Sequence, residues 1–264
     1  MTRVRASNGR VALVTGGGRG IGRAIAGALC RDLLDVVVLD ADAARAHSAA
    51  LELAAMGWKA SDVSGDITNP RDVARAHKVA ERAFGPVDVL VNNVGVFVPE
   101  PNVAESVDVA AWRRVIDVNV NGTFLMSREI GRSMIDRQSG GVIVNVASVY
   151  GMRALDWRLY GLGRYDDAAY HVSKAAVIQL TRSLATSWAG FGIRVNSVSP
   201  GVVDTESNRE VLAASVFRRV TARVPMQRWG QPAEIAEVVR FLVSEGASYI
   251  TGANVVVDGG WVCW

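Results

Sequence analysis

Six short runs of valine, isoleucine and leucine, at residues 11–14, 36–39, 87–91, 142–146, 195–198 and 255–257, recur along the chain, and a weaker run lies near residues 59–63. Runs this short and this continuously apolar read as strands buried on both faces. Between them stand segments with helical spacing, at residues 21–31, 43–56, 73–84, 169–188 and 233–242. A chain that alternates the two is predicted to be α/β, a doubly wound parallel sheet with helices on both faces. With 264 residues, half of them apolar, a single domain over residues 1–264 is expected.

In such a sheet ligands bind beyond the carboxyl ends of the strands, so the residues just after each run carry the functional information. After the first run stands Thr15-Gly16-Gly17-Gly18-Arg19-Gly20-Ile21-Gly22, opening directly into a helix. Gly16 permits a tight turn, Gly20 lets the backbone approach a pyrophosphate, Gly22 lets helix and strand pack closely, and the helix start offers N–H groups to an anion. No Lys-Ser or Lys-Thr follows, which argues against a nucleoside-triphosphate loop. The second run ends at Asp40, 18 residues after Gly22, where a carboxylate can accept from both adenosine ribose hydroxyls and would repel a 2'-phosphate. NAD(H) is therefore expected over NADP(H), with Ala41 standing where an arginine could have held the phosphate and Arg19 as the counter-signal.

Tyr170 and Lys174 are four apart in a helical segment, so both project from one face. Five tyrosines and three lysines would meet at this spacing by chance in only about 6 such chains in 100. A phenol that exchanges a proton near neutrality needs its pKa of about 10 lowered, and a cation about 4 Å away supplies on the order of 4 kcal/mol, or about three pKa units. A plain Tyr–Lys pair on a helix surface is the alternative. Ser148, after the run at 142–146, can hold a carbonyl oxygen beside that acid or simply cap a turn. Asn119, an amide inside an otherwise apolar helix pattern, marks either a functional kink or water site or a satisfied buried amide.

The net charge of +3, nearly all from 26 arginines against 3 lysines, does not indicate nucleic acid, because the arginines alternate with acids along helices and form no basic block. Cys30 and Cys263 have no metal-ligand spacing, and His47, His77 and His171 are scattered, so no metal is expected. A polar, basic start followed by an apolar stretch too short for a signal or a membrane span predicts a cytoplasmic protein that does not engage a membrane.

Taken together, these residues resemble the short-chain dehydrogenase/reductase family over essentially the whole chain. Its T-G-x-x-x-G-x-G is met at Thr15, Gly16, Gly20 and Gly22, its N-N-A-G as Asn92-Asn93-Val94-Gly95, and its Y-x-x-x-K at Tyr170 and Lys174. Its catalytic serine and asparagine match Ser148 and Asn119, Asp66 matches the acid near the adenine, and Pro200-Gly201 with Thr205 matches the loop flanking the nicotinamide. The resemblance implies a seven-stranded Rossmann-type sheet, a homotetramer or homodimer, and a reaction between a small alcohol and its ketone. It implies Tyr170 as general acid/base, Lys174 on the nicotinamide ribose, Ser148 orienting the substrate oxygen and Asn119 holding a water that leads from Lys174 to solvent. The implied cofactor surface is Gly16, Gly18, Arg19, Gly20, Ile21, Gly22, Asp40, Asp66, Ile67, Asn93, Val94, Gly95, Tyr170, Lys174, Pro200, Gly201, Val203 and Thr205.

Two features depart from the family pattern. Ser148 and Tyr170 are 22 positions apart, longer than in most members, and the extra stretch near residues 153–167 is expected to border the substrate pocket. The ending Asp258-Gly259-Gly260-Trp261-Val262-Cys263-Trp264 carries two tryptophans that cover a neighbouring subunit, close the pocket or pack at an interface. The Asp156-Trp157-Arg158-Leu159-Tyr160 stretch and this ending resemble members associated with sugar or surface-polysaccharide metabolism. Arg153, Arg158 and Arg164, with Arg209, Arg218, Arg219 and Arg223 in an expected lid near residues 203–228, either bind an anionic group or are solvated helix faces. A polar, sugar-like alcohol is the expected substrate. The alternatives are a 3-oxoacyl-thioester reductase, a hydroxysteroid-type dehydrogenase and, outside enzymes, an NAD-sensing binding module.

Overall fold

The computed structural model describes residues 8–98, 103–159, 167–211 and 214–263. Seven strands form one parallel sheet in the order β3-β2-β1-β4-β5-β6-β7. They are β1 (Val11–Thr15), β2 (Asp35–Asp40), β3 (Ala60–Ser64), β4 (Val87–Asn92), β5 (Gly141–Val146), β6 (Ile193–Pro200) and β7 (Asn254–Val257). The chain first builds outward from β1 to β3 and then returns to lay β4 on the other side of β1. The reversal leaves a crevice beyond the carboxyl ends of β1 and β4, the switch point where such sheets take ligands.

Alternate residues of β1 feed two cores. Ala12 and Val14 face α1 (Gly20–Arg31), α2 (Ala43–Ala55) and α9 (Pro232–Val243), whereas Val11 and Leu13 face α3 (Pro70–Phe84), α5 (Thr123–Arg137) and α6 (Ala168–Trp188). This two-sided burial is why the inner strands read as unbroken apolar runs. The weak run near 59–63 is β3, an edge strand with only Val63 buried, and its alternation fades accordingly. Helix starts follow local chemistry: Asn69 caps α3 with Pro70 behind it, and Asp42 caps α2 by accepting from Ala44 and Arg45 N–H.

The longest departure from sequence expectation lies at α4 (Val109–Ile116), which continues through a π-helical turn at Asp117–Gly122 into α5. Each π turn slips the apolar face by one residue, so the 3.6-residue period expected for a helix is broken in its middle. After β6 the chain forms α7 (Glu206–Val211) and α8 (Ala214–Arg223), within the span expected as a lid.

The C-terminal tryptophans part company. Trp261 is buried in a small core with Val149, Val216, Val220, Val224 and Trp229; Trp264 lies outside the described residues. Leu155 and Leu159 pack against the same core, Arg219 donates to the Leu159 carbonyl (2.7 Å) and Arg153 to the Val262 carbonyl (2.6 Å). The described part of the extra stretch thus braces α8 and the C-terminal tail, and residues 160–166, with Arg164, lie outside the described residues.

Candidate active site

The carboxyl ends of β1, β4, β5 and β6 surround a cleft of about 410 Å³. It gathers Arg19, Ile21, Asn93, Gly95, Ser148, Tyr170, Lys174, Pro200, Gly201, Val203 and Thr205, all expected from sequence. Residues 153–159 do not line it; Val96, Phe97, Ser207 and Asn208 do, and sequence reasoning missed them.

Lys174 enters from α6 and is 3% exposed. Its Nζ donates to the Val146 carbonyl (2.9 Å) and lies 5.7 Å from the centre of the Tyr170 ring. Burial pulls its pKa down to about 8, which leaves the ammonium largely charged at neutral pH. Gly95 is what lets it in, since a Cβ there would stand 3.0 Å from Nζ. Ser148 is also buried, and its Oγ accepts from Tyr150 N–H (3.1 Å). The turn-capping reading of this serine therefore holds, and accepting that bond still leaves its hydroxyl proton to donate into the cleft.

Asn119 stands behind the cleft in the π turn, fully buried. Its Oδ1 accepts from Val96 N–H and its Nδ2 donates to the Val96 carbonyl, both at 2.8 Å, with a further bond to Ser173 Oγ at 2.9 Å. Both earlier readings meet here, a satisfied buried amide at a helix irregularity. Its backbone carbonyl accepts from Thr123 Oγ1 (2.8 Å).

The glycine loop is fixed to β4 rather than free. Asn93 donates from its backbone to Thr15 Oγ1 (3.0 Å) and from its side chain to the Thr15 and Gly16 carbonyls (3.1 Å each). A Cβ on Gly22 would fall 2.2 Å from the Gly16 carbonyl oxygen and 2.5 Å from Asn93, so this glycine serves the contact between helix and loop more than that between helix and strand. Val94 packs on Gly16. Alone among α1, α2, α3 and α6, α1 receives no side-chain cap, its N-cap being Arg19. The first-turn amides of Gly20, Ile21 and Gly22 have no partner inside the helix, and an uncapped helix start is a cradle for the phosphates of a dinucleotide.

The other expected cofactor residues run from that loop across the sheet edge. Asp40 accepts from Gly18 N–H (3.1 Å) through one oxygen and from Asp42 N–H (3.1 Å) through the other. Past β3, Asp66 accepts from Thr68 N–H (2.9 Å), while Ile67 is buried beneath Gly122. Asp40, Asp66 and Ile67 do not line the cleft of Tyr170 and Lys174. They form a second stretch on the far side of the loop, as an extended two-part ligand requires.

A buried polar lattice, also unseen in the sequence, ties the elements behind the cleft. Asn92 donates to Asn145 Oδ1 and Ser127 Oγ, and Asn145 donates to Thr181 Oγ1, each at 2.9 Å. Asparagines at the ends of two neighbouring apolar runs were the available signal. The arginines of the extra stretch and lid are mostly spoken for: Arg158 by Asp156 (2.8 Å), Arg209 by Asp204 (2.5 Å), with Arg153 and Arg219 held as above, while Arg218 is exposed. Their expected role in binding an anion thus loses most of its members to structure.

Among known proteins, the family model described as Enoyl-(Acyl carrier protein) reductase matches residues 16–262. A galactitol 2-dehydrogenase of Rhizobium johnstonii is 42% identical, over 97% of this chain and 96% of its own. Two solved structures superpose closely. One is a short-chain type dehydrogenase/reductase from Mycobacterium marinum, with a TM-score of 0.90, 31% identity and 98% of each chain covered. The other is a gluconate 5-dehydrogenase from Burkholderia cenocepacia in complex with NADP and tartrate, with a TM-score of 0.87, 31% identity, and 100% of this chain and 98% of that one covered.

Proposed function

Because the chain belongs to the short-chain dehydrogenase/reductase family, and is an NAD(P)-dependent oxidoreductase of CH–OH groups, we propose that Tyr170 is its general acid/base and a sugar-like secondary alcohol its substrate. The observation that carries this reading is the convergence of Ser148, Tyr170 and Lys174 on one cleft beside the uncapped start of α1.

The cradle of Gly20, Ile21 and Gly22 fits the pyrophosphate of a nicotinamide dinucleotide, which when bound supplies the hydride acceptor. In alcohol oxidation the Ser148 hydroxyl orients the substrate oxygen, and the Tyr170 phenolate takes the hydroxyl proton. In the reverse direction the phenol returns it. The Lys174 ammonium, 5.7 Å from the centre of the Tyr170 ring, is the cation placed to stabilise the phenolate form. Asn119, with its side chain committed to Val96 and Ser173, fixes the wall behind Lys174, and a water linking Lys174 to solvent is assigned to its backbone carbonyl side.

NAD is the proposed cofactor. Asp40 presents its carboxylate at Gly18, while Arg19 belongs to the cleft of Tyr170 and Lys174, which Asp40 does not line. Arg45, crowded against the same glycine, is held by Asp42 (3.3 Å). Catalytic efficiencies with NAD and NADP test this: the ratio favours NAD, and Asp40→Ala moves it toward NADP by about tenfold or more. A wild-type preference for NADP contradicts it.

The galactitol and gluconate dehydrogenase relatives, and the Ser207 and Asn208 side of the cleft, support a hydroxylated substrate. Sugar alcohols, sugar acids, sugar phosphates and nucleotide sugars are assayed beside cyclohexanol, a 3-oxoacyl thioester and a hydroxysteroid. Turnover confined to the last three overturns the sugar-like assignment. We also propose a homodimer or homotetramer, supported by the exposed Phe241, Tyr249 and Val256 near the edge strand β7.

A further inference from the structure

Asp167 is a buried carboxylate three residues before Tyr170, and its two oxygens serve two different elements. Oδ1 accepts from Tyr170 N–H (3.2 Å) and so caps the first turn of α6, the helix that carries Tyr170 and Lys174. Oδ2 accepts from Val98 N–H (3.3 Å), in the segment that leaves β4 and borders the cleft. The same segment is held from the opposite side by Asn119, which grips both polar atoms of the Val96 backbone. Phe97 lies between these two anchors, lines the cleft and remains 38% exposed.

We propose that Asp167 is a positioning residue that locks the Val96–Val98 segment to the start of the catalytic helix, making Phe97 a fixed apolar wall of the substrate site. A segment leaving a strand end has no ladder to satisfy its backbone, so without the two side-chain anchors its amides would exchange partners with water and the wall would move. A fixed aromatic wall in the same cleft as a hydroxyl-orienting serine favours an alcohol that offers C–H surface beside its hydroxyl, such as a sugar ring, a polyol or a cyclic alcohol. This rests on the reading of the cleft as the alcohol site, but the lock itself is a property of the chain alone.

Asparagine at position 167 separates the two bonds. Its single oxygen still caps α6, since Asn caps as well as Asp, but its Nδ2 is a donor and cannot accept from Val98 N–H. Amide hydrogen exchange of the purified protein without added cofactor is expected to show Val98 and Phe97 exchanging about tenfold faster or more in Asp167→Asn, with Tyr170 unchanged. Asp167→Ala is expected to expose both. With NAD and either galactitol or cyclohexanol as probe, Asp167→Asn should raise KM about tenfold while kcat stays within about twofold, because the proton-transfer group keeps its place. Phe97→Ala should reproduce the KM effect, and NADH affinity should be unchanged in Asp167→Asn and Phe97→Ala. Equal Val98 exchange in wild type and Asp167→Asn overturns the lock, as does a fall in kcat with KM unmoved. If the wild type oxidises neither probe, the substrate reading fails and the exchange measurement still decides the lock.

Discussion

Lys174 holds the sharpest conflict between stability and chemistry at the scale of a single residue. Its burial lowers the folded pKa to about 8 from an ordinary value of 10.5. Between those values the unfolded chain binds a proton that the folded chain does not, so this group's contribution to stability rises with pH across that window. Below about pH 8 its cost is present in full, on the order of 3 kcal/mol. Lys174→Met removes the titration. The melting temperature of the variant minus that of the wild type is therefore expected to fall as pH rises from 8 toward 10.5, and a difference independent of pH contradicts the account. The spacing that pairs Lys174 with Tyr170 was legible in the sequence, as was the placement of Ser148. Which oxygens and amides hold them was not: Gly95 beneath Nζ and Asp167 at the helix start act through distances that no spacing rule encodes.

At the scale of elements, α8 and the C-terminal tail form one unit. Trp261 lies under α8 with Val216, Val220 and Val224, and Gly259 and Gly260 bring the tail against Val224 and Pro225. Trp261→Ala removes a side chain worth about 3 kcal/mol from a core of only six buried residues. Limited proteolysis should then cut within α8 well before the sheet, with KM rising more than kcat falls; unchanged cleavage contradicts the brace. Such a contact joins residues far apart in sequence, so the ending could be read only as tryptophans that cover a neighbour, close the pocket or pack at an interface. Helices with their own caps, α2 and α3, were legible to within a few residues because their signals are local. The stretch from Val109 to Arg137 was visible only around Asn119, since the π turn cancels the periodicity that reveals a helix.

At the scale of the whole molecule, one sheet with its reversal between β1 and β4 collects residues from nearly the full length of the chain at one edge. This is why the architecture was legible: short buried runs and the order of motifs after them suffice once the sheet is parallel. The proposed homodimer or homotetramer rests in sequence on the family resemblance alone, because an apolar edge beside β7 looks there like any amphipathic surface. Sedimentation is expected to give the mass of two or four chains, and a single-chain mass contradicts the proposed assembly. With a proton-transfer cleft set next to a nucleotide cradle, Tyr170→Phe should remove the first function and spare the second. NADH titrated into wild type and variant, with turnover measured on the best alcohol of the panel, should show affinity unchanged within about twofold and kcat lower by about a thousandfold or more. Undiminished turnover in Tyr170→Phe would contradict the account.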